Sequence, residues 1–164
     1  MSRLLLLSLC LPLTGCLGLV CGNADELEEG EVEGLIDEVR WNSDGAQWMH
    51  PGSSLQITTD SGDGWRLTVV ARTTDEGKDV VDGVEQGSFP MRITLKSALE
   101  GGWALLYPST GGSYSTEETE GGALLLERLE DDTMVACFEF EASDGTETIT
   151  LEKGLVRAVA QDDD

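Results

Sequence analysis

Phe138-Glu139-Phe140-Glu141-Ala142-Ser143-Asp144-Gly145-Thr146-Glu147-Thr148-Ile149-Thr150-Leu151 is the stretch that decides how this chain folds. Its first five residues alternate apolar and acidic, the period of a strand whose two faces meet different surroundings. Phe138, Phe140 and Ala142 share one face, and Glu139 and Glu141 share the other. Asp144-Gly145 then supplies the backbone angles of a tight turn. Beyond it, Ile149 and Leu151 alternate with Thr148 and Thr150. The pattern predicts two half-buried antiparallel strands, each with one wet face.

The same period recurs upstream. Met91, Ile93 and Leu95 alternate with Arg92, Thr94 and Lys96; Leu55 and Ile57 alternate with Gln56 and Thr58; Trp65, Leu67 and Val69 share a face. Turn residues separate these runs: Asp44-Gly45, Gly62-Asp63-Gly64, Gly101-Gly102, Gly111-Gly112 and Gly121-Gly122. No segment sustains a helical period, so the chain reads as all-β. An antiparallel β-sandwich of eight or nine strands is expected, with a lipocalin-like up-and-down barrel as the alternative. Trp41, Trp48, Trp65 and Trp103 read as core or strand-end packing rather than a ligand platform, because tryptophan has much apolar area to bury.

The amino terminus carries a different signal. Arg3 precedes Leu4 to Leu7, Leu9, Leu11 and Leu13, and small residues lead to a cysteine, the order of a secretory signal. Pro12 and Gly15 interrupt the apolar run, which falls short of the ~20 residues that span a bilayer as a helix. Leu13-Thr14-Gly15-Cys16 resembles the processing box of bacterial lipoproteins. That resemblance implies a signal peptide over residues 1–15 and a lipid on the Cys16 thiol, with unlipidated signal cleavage as the competing reading. By resemblance to enterobacterial sorting, in which an aspartate at this place favours retention at the inner membrane, Leu17 implies an outer-membrane location. Residues 16–34, rich in Asp25, Glu26, Glu28, Glu29, Glu31 and Glu33, read as an acidic flexible tether. Residues 35–160 suffice for one domain with a sizeable core, and residues 161–164 read as an acidic tail.

The net charge of −22 falls to −23 without Arg3, with nine basic residues against 32 acidic ones. Such a chain is a poor binder of phosphate backbones, so nucleic-acid recognition is excluded as an expectation. Anionic headgroups are equally unsuitable, which leaves the lipid on Cys16 as the membrane attachment. An envelope protein, a saccharide or a cation remains as partner, and no cofactor is expected. Cys21 and Cys137 are free to form a disulfide in an oxidising compartment, although Cys137 reads equally as a small buried hydrophobe in a strand.

Phe138 to Ala142, the Ser143-Asp144-Gly145 turn, Thr146 to Leu151 and Gly154 are together similar to the carboxyl end of a family of small uncharacterised bacterial lipoproteins, frequent in Bacteroidetes. Members pair a lipobox with a β-sandwich of unknown function. Their penultimate strand reads like "ITNG". Here Ile149-Thr150 matches, and Leu151-Glu152-Lys153 intervenes before Gly154. The order of Ala104 to Tyr107, the polar stretch Gly111 to Gly122, and Ala123 to Leu126 is similar as well. These motifs are structural, so the resemblance implies a fold and no activity.

Catalytic signals are sparse. His50 is the only histidine, and Ser53, Ser54 and Ser113 lack the glycine-flanked elbow of a nucleophile. One histidine cannot build a histidine-rich zinc site. Asp60-Ser61-Gly62-Asp63-Gly64 has the oxygen-rich look of a calcium loop, with Asp60 and Asp63 as weak candidates, but lacks the later glutamate of an EF-hand. The expectation is therefore a lipid-anchored envelope protein carrying a non-catalytic binding or structural module. The alternative is a small carboxylate-based hydrolase of an envelope or extracellular saccharide.

Overall fold

The computed structural model describes residues 19–161. Leu13, Thr14, Gly15 and Cys16, and Asp162 to Asp164 of the tail, lie outside the described residues. The strands are β1 (Val32–Ile36), β2 (Val39–Ser43), β3 (Gln47–Met49), β4 (Leu55–Thr58), β5 (Trp65–Ala71), β6 (Met91–Leu95), β7 (Gly102–Pro108), β8 (Tyr114–Ser115), β9 (Gly122–Glu130), β10 (Thr133–Ser143) and β11 (Thr148–Ala160). One helix, α1 (Val80–Glu85), and two 3₁₀ turns, Ala24–Glu26 and Thr116–Glu118, complete the described elements.

The fold is all-β, with eleven strands instead of eight or nine. The additional strands are short or hidden from a search for alternation. β3 has three residues and β8 has two, while β1 starts inside the acidic stretch read as a tether. Pairing runs without a break in the order β2-β1-β11-β3-β4-β5-β7-β6-β9-β10-β8. It narrows at three places, to Leu95↔Gly102 between β6 and β7 and two pairs between β11 and β3, both parallel, and to the antiparallel bridge Ser143↔Ser115 between β10 and β8. Two antiparallel walls result. One is β3-β4-β5-β7-β8, and the other is β6-β9-β10-β11-β1-β2.

Both walls turn their apolar sets inward onto one core. Leu55, Ile57, Leu67, Val69, Ala104 and Leu106 from the first meet Ile93, Leu124, Phe138, Phe140, Leu151 and Val156 from the second. Each of these side chains is at most 3 % exposed, so the interior is filled. The alternating residues of the deciding hairpin are paired as expected, Phe140↔Leu151 and Ala142↔Ile149. The intervening Glu152-Lys153 is a bulge: the β10–β11 register shifts between Phe138 and Phe140, and Lys153 has φ 53°. The extra residue lets a 13-residue strand bend around the core while keeping apolar side chains inward.

At the β6–β7 junction, where the walls separate, Thr116 is fully buried. Its Oγ1 donates to the Lys96 carbonyl at 3.1 Å and accepts from the Ala104 amide at 3.1 Å. One hydroxyl thus satisfies two backbone groups that neither wall pairs, a requirement for burying them. The helix α1 is too short to show a period in sequence. It is set by Asp79, whose carboxylate accepts from the amides of Val81 (2.9 Å) and Asp82 (3.2 Å) as an N-cap.

The stretch from Cys21 to Gly34 is packed against the domain, which corrects the tether reading over those residues. Cys21 and Ala24 are buried with Val135 and Cys137 in a small second cluster, flanked by Leu19, Leu125 and Leu155. Val135 and Cys137 occupy the outward phase of β10, so without this strap they would face water. Gly30 donates its amide to the Arg157 carbonyl at 2.7 Å, and Val32–Ile36 pairs with β11. Val32 and Ile36 are buried while Glu33 is not, a period-two signal that the density of glutamates conceals.

Candidate functional site

Two surface features stand out, on the β10–β11–β1–β2 wall and its amino-terminal strap. The first is the linkage of strap to wall. Cys21 and Cys137 are joined by a disulfide with a Cα–Cα distance of 5.2 Å. The bond sits on the outer face of β10 under Leu19, Leu125 and Leu155. Arg128 reinforces the same attachment. It pairs with Asp25 of the 3₁₀ turn, with Glu127 (2.8 Å) and with Glu130 (2.8 Å). Its guanidinium pKa is raised above the ordinary value by the hydrogen bond to Glu130 first, and then by the charges of Glu130, Asp25 and Glu127. Arg157 adds a donated hydrogen bond to the Leu27 carbonyl at 3.0 Å.

The second feature is a groove of about 730 Å³ between the strap, the outer part of β2 and the loop after β4. Glu26, Glu31, Glu33, Asp44, Asp60 and Asp63 line it, with Arg40 as its one cationic residue. Arg40 is paired with Glu33 at 3.0 Å. Asp60 and Asp63 are thus brought to one groove, together with acidic residues that sequence reading assigned to the tether. Their loop is held by the fold itself. The buried Trp41 donates its indole N–H to the Gly62 carbonyl at 2.9 Å, Ser43 Oγ donates to the Asp60 carbonyl at 2.8 Å, and Asp63 accepts from the Asn42 amide at 3.2 Å. Among the described residues no group of three or more His, Cys, Asp or Glu side chains converges in a metal-holding arrangement. Chemically the groove offers negative charge and hydrogen-bond acceptors to solvent.

No family model, curated protein or solved structure matches the chain.

The hydroxyls considered beside His50 are not assembled with it. His50 is exposed, its ring 6.2 Å from that of Trp48. Ser54 donates instead to the Pro51 carbonyl at 3.2 Å, and Ser53 and Ser113 lie exposed on the surface. The tryptophans divide. Trp41 and Trp48 are buried, each donating its indole N–H to a backbone carbonyl at 2.9 Å, and Trp65 packs at the core margin beside Tyr114. Trp103 is different, half-buried on the outer face of β7 with the Arg72 guanidinium 5.4 Å above its ring. No sequence period distinguishes it from the others. Only its pairing with Val70, an outward position of β5, does.

Proposed function

We propose that this chain is a lipid-anchored protein of a bacterial cell envelope, held at the outer membrane through Cys16, with its β-sandwich serving as a non-catalytic binding or structural module. The observation that carries the reading is the Cys21–Cys137 disulfide. Stable disulfides belong to oxidising compartments outside the cytoplasm. This one lies five residues after the cysteine of the Leu13-Thr14-Gly15-Cys16 box, so signals of export and of anchoring occupy one short segment. Two or three acyl chains on Cys16 would anchor durably, whereas a single chain binds reversibly. The resemblance to lipobox-bearing β-sandwich lipoproteins points the same way.

The filled interior supports a module over the hydrolase alternative, because contacts with a partner fall on its outer surfaces. The decisive experiment expresses the chain in a bacterium that acylates lipoproteins. The membrane fraction should hold the protein, with the mass of acyl groups on the peptide that begins at Cys16. Cys16→Ser should release it from that fraction; unchanged partitioning would defeat the anchor.

A further inference from the structure

Charge is distributed unequally between the two walls. None of the strands β3, β4, β5, β7 and β8 contains an Asp or Glu, in a chain with 32 of them. The opposite wall carries Glu33, Glu127, Glu130, Glu139, Glu141 and Glu152 on its strands. On the outer face of the acid-free wall, Val70 pairs with Trp103, Thr68 with Leu105 and Arg66 with Tyr107. Gln56 and Thr58 of β4 continue that face beside Val70 and Thr68. Trp103, Leu105 and Tyr107 are half-buried, whereas Arg66 and Arg72 are exposed.

The two arginines are placed by rings and not by carboxylates. The Arg66 guanidinium lies 4.6 Å over the Tyr107 ring and that of Arg72 lies 5.4 Å over the ring of Trp103. Among the described residues neither is within ion-pair distance of a carboxylate, while Arg40, Arg92, Arg128 and Arg157 all are. A guanidinium packed over an aromatic ring, with no carboxylate partner, keeps N–H donors for an anion, and the ring restricts its orientation in advance. Six positions along an extended chain separate the two by about 20 Å. Between them lie the hydroxyl of Thr68, the nearby amide of Gln56 and the apolar surface of Leu105, over a buried Val70.

We propose that this face binds an acidic polysaccharide, with Arg66 and Arg72 each receiving a carboxylate or sulfate and the polar groups between them receiving sugar hydroxyls. The ligand class follows from the face. Two ring-packed cations spaced along one strand face suit a chain of spaced anions. Strand addition by a peptide is closed off, because β5 is paired on both sides, to β4 and β7. A membrane is disfavoured by position, since the disulfide-bound strap is on the outer face of the other wall and this face points away from it. Acidic side chains return in the flanking loops: Asp60 and Asp63 before β5, Asp75 and Glu76 after it, Glu100 before β7, and Glu117, Glu118 and Glu120 after β8; of these, Asp75 is paired with Arg92 and Glu76 with Lys78. At physiological salt, charges beyond about 8 Å are largely screened. The proposal names a ligand class for the binding module proposed above and rests on that reading only for the direction in which the face points.

The test measures binding of the full chain in detergent to polygalacturonate, with neutral dextran, poly-glutamate and phosphatidylglycerol vesicles in parallel. Polygalacturonate should bind and dextran should not. Arg66→Gln with Arg72→Gln should weaken polygalacturonate binding at least about tenfold, as expected for lost charge-assisted hydrogen bonds. Both arginines are exposed, so the double variant should keep its circular dichroism and thermal midpoint. Absence of binding, binding unaffected by the double variant, or a preference for poly-glutamate or vesicles would overturn the proposal. Cys16→Ser should leave polygalacturonate binding intact, so failure of the anchor and failure of this surface read out separately.

Discussion

Tyr114 stands at the rim of the core, and its hydroxyl donates to Glu147 in the turn between β10 and β11. The hydrogen bond to that carboxylate, with burial and the nearby charge adding to it, pushes the phenol up to about 12 from 10.0. A raised folded-state value means that the contact contributes stability in full below pH 10 and loses it as pH rises through 12. In a Tyr107→Phe background, where Tyr114 is the sole tyrosine, tyrosinate absorbance should develop with a midpoint near 12. Glu147→Gln should move it downward; no movement would remove Glu147 as the cause. The contact was not legible in sequence, because Tyr114 and Glu147 are 33 positions apart and belong to no shared period. Turns differ in their sequence signals for a similarly local reason. Asp144-Gly145 announces itself by glycine, whereas the β1–β2 turn is made by Asp37 (φ 47°) and Glu38 (φ 68°), with no glycine to mark it and a glutamate where such an angle is uncommon. Asp37 is held there by its own carboxylate, which accepts from the Thr150 amide at 2.8 Å.

At the scale of elements, the β10–β11 hairpin shows how alternation predicts faces and misses lengths. Phe138, Phe140, Ala142, Ile149 and Leu151 all point inward as their period requires. The strands nevertheless run to 11 and 13 residues, because Val135 and Cys137 break the alternation by being buried on the outer face as well. Only a covering segment explains that, and the strap supplies it. The bulge at Lys153 brings Gly154 directly against Phe138, its pairing partner on β10. A Cβ at position 154 would overlap the Phe138 ring and lie 2.8 Å from the Phe138 carbonyl oxygen. Phe138 is fully buried and its carbonyl belongs to a strand, so neither can retreat cheaply. Gly154→Ala should therefore destabilise by about 1–3 kcal/mol, the usual cost of overpacking a filled core. Gly22→Ala is the matched control, since nothing lies within 4 Å of its Cβ position and its φ is not positive. Urea midpoints that shift equally in the two variants would refute the overpacking argument.

For the whole molecule, the strap determines both stability and reach. A tether running from Cys16 to Leu35 would let the domain roam at the end of a long acidic chain. With Cys21 fixed to β10, the proposed lipid attachment is five residues from the domain, at most about 18 Å when fully extended. The acidic stretch is therefore mostly surface, and its Glu26, Glu31 and Glu33 become part of a groove. Composition alone could not show this, because a glutamate on the wet face of a strand looks the same in sequence as one in a solvated linker. The disulfide itself closes a loop spanning 116 positions, nearly the whole fold. Loop-closure entropy in the unfolded chain grows only slowly with length, and native disulfides of this kind contribute about 2–5 kcal/mol. Cys21→Ala with Cys137→Ala should lower unfolding stability by that amount while leaving the β-type circular dichroism unchanged, since β1 and the core pairings do not depend on the bond. The loss should include the small cluster around Ala24, Val135 and Leu125, so amide exchange ought to accelerate in residues 19–31 far more than in β10. Equal acceleration in both would mean that the disulfide supports the sandwich as a whole, and an unchanged urea midpoint would mean that the strap is held by Arg128 and Arg157 alone.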